Sequence, residues 1–395
     1  MQVLFLCHRI PYPPDKGDKI RSYHLLASLA RRAAVDLVTH VDDPRDLRHQ
    51  QTLKDLCRSV DIYPLSKFVS RVRALSAIPG SQPLSVAYMT RTETHRRVRD
   101  LLDRNDYDLI VCYSSQVAAY LPADLDVPVV MDLVDVDSEK FAAYGEERSG
   151  LSGFVPRLEA RRLRSFEADI GQSCAKVVLT TPREVAVYRE RVGKGDVVSI
   201  SNGIVLPDVV RPQADRDPEL AVFVGTMNYD PNVAAVVYAA DHVWPKVLAE
   251  RPNARLRIVG RSPGRRVQEL SKRPGIEVTG EVPDLIEHLG EAAMSIIPLH
   301  IARGIQNKTL EALAAGLPLV STEAVLACLH EGAEDAVETA STPDEFAAGA
   351  LRLMADPELR QRRGDAGRAY VARYHDWSRL DEAWGRVFDE VMALA

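Results

Sequence analysis

Met294-Ser-Ile-Ile-Pro-Leu-His-Ile-Ala-Arg303-Gly-Ile-Gln-Asn-Lys308-Thr-Leu-Glu311-Ala-Leu-Ala-Ala-Gly316-Leu-Pro-Leu319-Val-Ser321 reads as a strand, a loop, a helix and a second strand in immediate succession. The apolar run Met294 to Pro298 is too short for a helix. Thr309 to Ala315 is a helix, ended by Gly316 and Pro318, and Leu319-Val-Ser resumes a strand. Strands without polar alternation, joined by a helix, belong to a parallel sheet covered on both faces. Arg303 and Lys308 bracket the helix start, where the dipole is already positive, so an anion between them removes the conflict and the first-turn N–H groups add to its grip. Glu311, one turn beyond Lys308, is placed to accept two sugar hydroxyls. A surface Lys–Glu pair would show the same spacing.

The same grammar extends in both directions. Ala221 to Gly225, Leu256 to Gly260 and Ile276 to Gly280 read as strands, with helices over Val233 to Glu250, Val267 to Lys272 and Leu285 to Ala292. Val209 to Pro218 is polar and proline-bearing, with no apolar period, and reads as a linker. Before it lie strands at Val3 to Cys7, Val35 to Thr39, Val60 to Pro64, Leu109 to Cys112 and Val127 to Met131. Helices fall over Asp18 to Arg32, Leu47 to Leu56 and Thr92 to Leu102. The expectation is an α/β protein of two tandem doubly wound, Rossmann-like domains, residues 1–208 and 209–375, with a cleft between them. The amphipathic stretch from Trp377 forms a C-terminal helix, and 376–395 returns to the first domain.

The 395 residues carry a net charge of -6, 46% hydrophobic and 27% charged residues, the balance of an ordinary globular protein. That charge excludes a general nucleic-acid coat and means an anionic ligand must be gripped locally. Cys7, Cys57, Cys112, Cys174 and Cys328 form no CxxC pair, which reads as free thiols in a reducing compartment. The opening apolar run stops at His8-Arg9, too brief for a signal-peptide core, and nowhere do eighteen apolar residues run together. A cytoplasmic protein is expected.

Two further segments suggest chemistry. The loop Pro11-Tyr-Pro-Pro-Asp15-Lys16-Gly17-Asp18-Lys-Ile-Arg21 follows the first strand, where ligands of open parallel sheets bind, although a plain Pro-rich connector would look similar. Met131-Asp132-Leu-Val-Asp135-Val-Asp137-Ser138-Glu139 crowds acids at a strand end, to orient hydroxyls, hold a divalent metal through Asp135 and Asp137, or cap a helix. Gly260-Arg-Ser-Pro-Gly264 lacks the third glycine of a dinucleotide fingerprint, and the histidines show no zinc-site spacing. The basic run Arg157, Arg161, Arg162, Arg164, offset by Glu159, Glu167 and Asp169, reads as a solvated helix face. Lys67-Phe-Val-Ser-Arg-Val-Arg73-Ala-Leu has the composition of a segment that lies on an anionic membrane.

These features together resemble the GT-B glycosyltransferases, with the retaining family-4 group nearest. His8 to Arg21, Asp132 to Ser138, Phe223-Val-Gly-Thr-Met-Asn-Tyr-Asp-Pro-Asn232 and Gly304 to Lys308 look like the sugar transferases associated with exosortase and exopolysaccharide loci. The resemblance spans nearly the whole chain. It implies a donor site in the second domain made by Gly225, Thr226, Gly304, Asn307, Lys308 and Glu311, with Glu311 bonding the donor ribose. Backbone at Gly280 and Val282 would meet the base, and Gly17 would approach the diphosphate. Arg9, Asp15, Lys16, Asp18 and Arg21 would meet the acceptor, and Asp132, Asp135, Lys308 and Arg303 would serve catalysis.

Three departures bear on the roles. The family pairs two glutamates with seven residues between them, and Arg303 stands where the first belongs. Its basic pair after the first strand of the second domain is missing from Thr226 to Asn232, which leaves the diphosphate to Arg303 and Lys308. Its acceptor-side histidine near Met131 is missing too, with Asp132 or Asp135 nearby. The expected activity is transfer of a hexosyl group from a nucleotide-diphosphate sugar to a saccharide or lipid-linked saccharide, with retention, in exopolysaccharide or glycoconjugate synthesis. No cofactor or metal is required, nucleic acid is no partner, and the protein works in the cytoplasm, at the inner face of the membrane. A non-catalytic nucleotide-sugar or glycan-binding protein and a GT-B epimerase or phosphorylase are the alternatives.

Overall fold

The computed structural model describes residues 1–147, 150–193, 195–302 and 304–394. The chain forms two compact units, Met1–Ser201 with Leu380–Ala395, and Asn202–Arg379. The first is built on seven parallel strands, β1 (Gln2–Cys7), β2 (Ala34–Val41), β3 (Ser59–Pro64), β4 (Leu109–Tyr113), β5 (Val129–Val134), β6 (Lys176–Leu179) and β7 (Val197–Ser199), in the order β3-β2-β1-β4-β5-β6-β7. The order reverses between β1 and β4, the switch point at which this architecture opens a crevice beyond the strand C-termini. Cys7 is in register with Thr39 on one side and Tyr113 on the other, so the loops after β1, β2 and β4 leave the sheet side by side. Leu4, Leu6, Ile110, Cys112 and Met131 pack without solvent in its core, as uninterrupted apolar strands require.

From Leu380 the C-terminal helix Trp377–Leu394 belongs to this first unit. Trp384 and Phe388 are buried and stacked at 5.7 Å, Arg32 holds both oxygens of Asp381 at 2.8 and 2.9 Å, and Lys176 lies 3.0 Å from Glu390.

The second unit repeats the pattern with β8 (Asp217–Val224), β9 (Arg255–Val259), β10 (Ile276–Gly280), β11 (Ala292–Ile297), β12 (Leu319–Ser321) and β13 (Val337–Thr339), all parallel in the order β10-β9-β8-β11-β12-β13. The switch point falls between β8 and β11. Two expectations need correction. The single helix expected over Val233 to Glu250 is interrupted: Asp230–Tyr238 gives way to a π-helical turn, Ala239–Val243, before Trp244–Glu250. Pro245 has no N–H to continue the ladder, and the wider turn absorbs the mismatch. The basic run on the helix Phe154–Ser173 is a solvated face only in part: Arg157, Arg161 and Asp169 are exposed, whereas Arg162, Glu159 and Glu167 are buried. Arg162 is buried and donates to the carbonyls of Ala77, Ile78, Gly80 and Gln82, while buried Glu159 accepts from Leu84 N and Ser85 N at 2.6 and 2.9 Å. The charges of Arg162 and Glu159 are spent on the backbone of residues 77–85, an arrangement that residue spacing does not reveal.

Candidate active site

In the second unit the loops flanking the switch point are Gly225–Tyr229, after β8, and the segment from Pro298 to the helix Asn307–Ala314. They meet at Lys308. Its ammonium donates to Asn232 Oδ1 at 2.5 Å and lies 5.2 Å from the ring centre of Phe223, and the side chain is 8% exposed. Asn232 Nδ2 in turn donates to the carbonyl of Thr226 at 3.0 Å, which ties the β8 turn to the lysine. A Cβ at Gly225 would stand 2.7 Å from Asn232 Nδ2 and 3.4 Å from Lys308 Cε, so only glycine lets the turn close over the pair. The next turn is built the same way: a Cβ at Gly260 would overlap the Gly225 carbonyl oxygen at 1.7 Å.

Among the described residues Lys308 makes no ion pair. Burial drives its pKa down to about 8, against the opposing pull of Glu311 one turn away, and burial raises the Glu311 carboxyl while Lys308 holds it back. A buried ammonium whose fixed partner is an amide is electrostatically unfinished, and an anion completes it. The helix adds to this polarity: its N-cap, Gln306, offers no side-chain bond to the first-turn N–H groups. Asn307 opens the helix, and its Oδ1 accepts from Asn202 Nδ2 at 3.3 Å. Gly304 takes the left-handed φ of 58° that the loop needs before the helix. Gly280 also has a left-handed φ, of 76°, with open space where its Cβ would be. Val282, two residues on, packs partly buried on the core. Arg303 lies outside the described residues.

In the first unit the expected residues divide into two sets. Arg21 and Asp132 are buried against each other, Nε to Oδ2 at 2.7 Å and Nη2 to Oδ1 at 3.1 Å, and Arg21 Nη1 also donates to the carbonyls of Ile200 and Ser201. The expected substrate contacts from these two are therefore corrected: both side chains are consumed inside the fold. Their effect is indirect. Asp132 Oδ1 also accepts from Val134 N at 3.1 Å, and Val134 has a φ of 70°, which a β-branched residue adopts only when its surroundings impose it. Asp135 follows, half-buried, accepting from Thr180 Oγ1 at 2.7 Å, with its carboxyl pulled above the usual range by burial despite that bond. Ser114, just after β4, is likewise left-handed, with a φ of 76°.

The second set surrounds the loop after β1. Arg9 donates to Asp18 Oδ2 at 2.5 Å and lies 3.2 Å from Asp42 Oδ1, while His8 Nε2 lies 3.6 Å from Asp18 Oδ2. Burial opposes ionisation of Asp18, but His8 and the Arg9 guanidinium hold its carboxyl below the usual range. Asp15 and Gly17 are exposed, and Lys16 is the half-buried N-cap of the helix Gly17–Ala30, without a side-chain cap bond. Three residues were not among those expected: Asn232 beside Lys308 in the second unit, and His8 and Tyr113 in the first. His8 Nδ1 and the Tyr113 hydroxyl are buried without a hydrogen-bond partner in this structure, and the two rings stack at 5.6 Å. His8 was signalled by its place directly after β1. Among the described residues no three His, Cys, Asp or Glu side chains gather to hold a metal ion, and no helix is long and apolar enough to cross a membrane.

Two tandem parallel sheets with this strand order define a GT-B architecture, and the comparisons agree. Residues 218–356, which include Gly225, Asn232, Lys308 and Glu311, match the family described as Glycosyl transferases group 1. The sucrose-phosphate synthase structure from Thermosynechococcus elongatus superposes over 100% of both chains, with a TM-score of 0.72 and 18% identity. Anabaena HepE in complex with UDP matches 99% of this chain and 100% of its own, with a TM-score of 0.65 and 13% identity. An uncharacterized 44.6 kDa protein from the cps region of Klebsiella pneumoniae is 23% identical over 334 residues, 79% of this chain and 80% of that one. The exopolysaccharide phosphotransferase SCO2592 of Streptomyces coelicolor is 24% identical over 227 residues, 55% of this chain but 23% of that protein's length. The fold is that of the GT-B glycosyltransferases, and the second unit carries the group 1 match.

Proposed function

We propose that the protein transfers a hexosyl group from a nucleotide-diphosphate sugar to a saccharide or lipid-linked saccharide hydroxyl, with retention of anomeric configuration, in exopolysaccharide or glycoconjugate synthesis. The observation that carries this reading is the buried Lys308, without an ion pair among the described residues, at the start of the helix Asn307–Ala314 and between Asn232 and the Gly225 turn. Breaking the bond from sugar to diphosphate leaves negative charge on the departing phosphate. A fixed ammonium and the positive end of the helix dipole stabilise that charge without reorganising during the step. Glu311 accepts the ribose hydroxyls, and backbone around Gly280 and Val282 meets the base. In the first unit Asp135 and the His8–Arg9–Asp18 network meet the acceptor, and Asp132 acts through the Val134 turn as a positioning residue.

The deciding experiment scans nucleotide sugars for nucleoside-diphosphate release with and without saccharide and lipid-linked acceptors, and reads the product anomer by proton NMR. Acceptor-dependent release with the donor's anomeric configuration is expected. Binding without turnover would instead make the chain a nucleotide-sugar-binding module, and an inverted product would overturn retention.

A further inference from the structure

The helix Lys67–Ser76 presents its apolar side outward. The residue it turns towards the protein is Ser70, fully buried, whereas Phe68, Val72 and Leu75 are 77%, 50% and 65% exposed and Val69 is 40% exposed. At helical spacing Phe68, Val72 and Leu75 fall within about 60° of one another, with Lys67 and Arg71 along one flank. The inversion is firmly built. Ser66 caps the helix at Val69 N, Arg73 Nη1 donates to Thr90 O at 2.6 Å, and Arg162 gathers the carbonyls just past the helix end.

Charge says what covers this face. From 62 to 92 the sequence carries Lys67, Arg71, Arg73 and Arg91 and no Asp or Glu, although the whole chain has a net charge of -6. Lys67 and Arg71 are exposed and make no ion pair among the described residues. A second copy on a twofold axis would bring these like charges together with no acid to offset them. An anionic lipid surface accepts both features at once: the apolar side chains enter the acyl boundary, and the cations meet the headgroups.

We propose that the helix Lys67–Ser76 docks the protein, lying flat, on an anionic bilayer. This stands independently of the transferase reading, because vesicle binding needs no turnover. The test is co-sedimentation of the full chain with phosphatidylcholine vesicles and with vesicles containing phosphatidylglycerol, at low and high salt. Tight, salt-sensitive binding only to the anionic vesicles is expected. It should fall about tenfold or more in Lys67→Glu/Arg71→Glu, since each juxtamembrane cation contributes on the order of a fivefold effect, and also in Phe68→Ser/Leu75→Ser. Nucleoside-diphosphate affinity and melting temperature should stay at parental values. Absence of binding to anionic vesicles, equal binding to both vesicle types, or binding indifferent to both double variants would overturn the proposal. So would a lipid-free dimer that Phe68→Ser/Leu75→Ser converts to monomer. If the serine variant fails to fold, the charge-reversal variant and the salt series decide.

Discussion

At the scale of single residues, Lys308 combines a buried charge with an incomplete set of partners. Its ammonium has Asn232 Oδ1 at 2.5 Å and the ring of Phe223, but no carboxylate in contact among the described residues. A charge-assisted phosphate contact contributes about 1.5–3 kcal/mol. Lys308→Ala should therefore weaken nucleoside-diphosphate binding by that amount in calorimetry while leaving nucleoside binding almost unchanged; equal losses would remove the lysine from the phosphate site. The pH dependence follows from its depressed pKa of about 8. As pH rises through that value the unliganded site loses its cation, so diphosphate affinity should fall by up to about tenfold per unit above it, and the slope should vanish in Lys308→Ala. Folding runs the other way: with the folded pKa below the ordinary 10.5, this group adds stability to the unliganded protein as pH climbs between those values. The sequence disclosed Lys308 and Glu311 because one helix carries both. It could not disclose Asn232, which reaches the lysine from a different element.

At the scale of elements, the donor-side turns depend on glycines for two different reasons. Gly260 is enclosed: its Cβ would overlap the Gly225 carbonyl oxygen, so Gly260→Ala must push the β8 turn off Lys308. Gly280 has space, and a side chain there meets only the cost of a left-handed backbone, about 1–2 kcal/mol. Gly260→Ala should cost more than about 3 kcal/mol of stability and abolish diphosphate binding, whereas Gly280→Ala should keep binding within a few-fold of the parent. Urea titration with calorimetry on both variants separates the two, and similar behaviour would show that the β8–β9 contact does not shape the site. Strands such as Ile276–Gly280 and Leu319–Ser321 were legible to the residue because short stretches carrying aliphatic and β-branched residues follow directly on turn residues, Pro274-Gly275 and Gly316 to Pro318. The π-helical turn before Pro245 was not, since a proline announces an interruption without saying how the backbone will accommodate it. Nor was the fate of Glu159 and Arg162, because a charged residue's spacing on its own helix is silent about carbonyls offered by another segment.

At the scale of the molecule, the chain lays down one strand order twice and then returns its last helix to the unit it built first. The recurring alternation of strands and helices made the doubled α/β plan readable from sequence alone. The return is held by Trp384, 2% exposed, stacked on Phe388 and facing the Arg21 guanidinium at 5.5 Å, with Arg32–Asp381 and Lys176–Glu390 on either side. Arg21 is the same residue that grips Asp132 and, through it, the Val134 turn before Asp135. A side chain near the C-terminus therefore supports the end of β5, far away in sequence. Trp384→Ala leaves a cavity beside a buried ion pair and should cost about 3–5 kcal/mol. The loss should be confined to one unit, so a single melting temperature is a poor measure of it. Hydrogen exchange followed by mass spectrometry gives the needed resolution. Protection should drop across β1, β4 and β5 and in the Val134–Asp135 turn, while β8, β9 and β11 keep parental rates. Uniform loss across both sheets would mean that the two units unfold as one, and unchanged protection in β5 would break the proposed chain of support from Trp384 through Arg21 and Asp132.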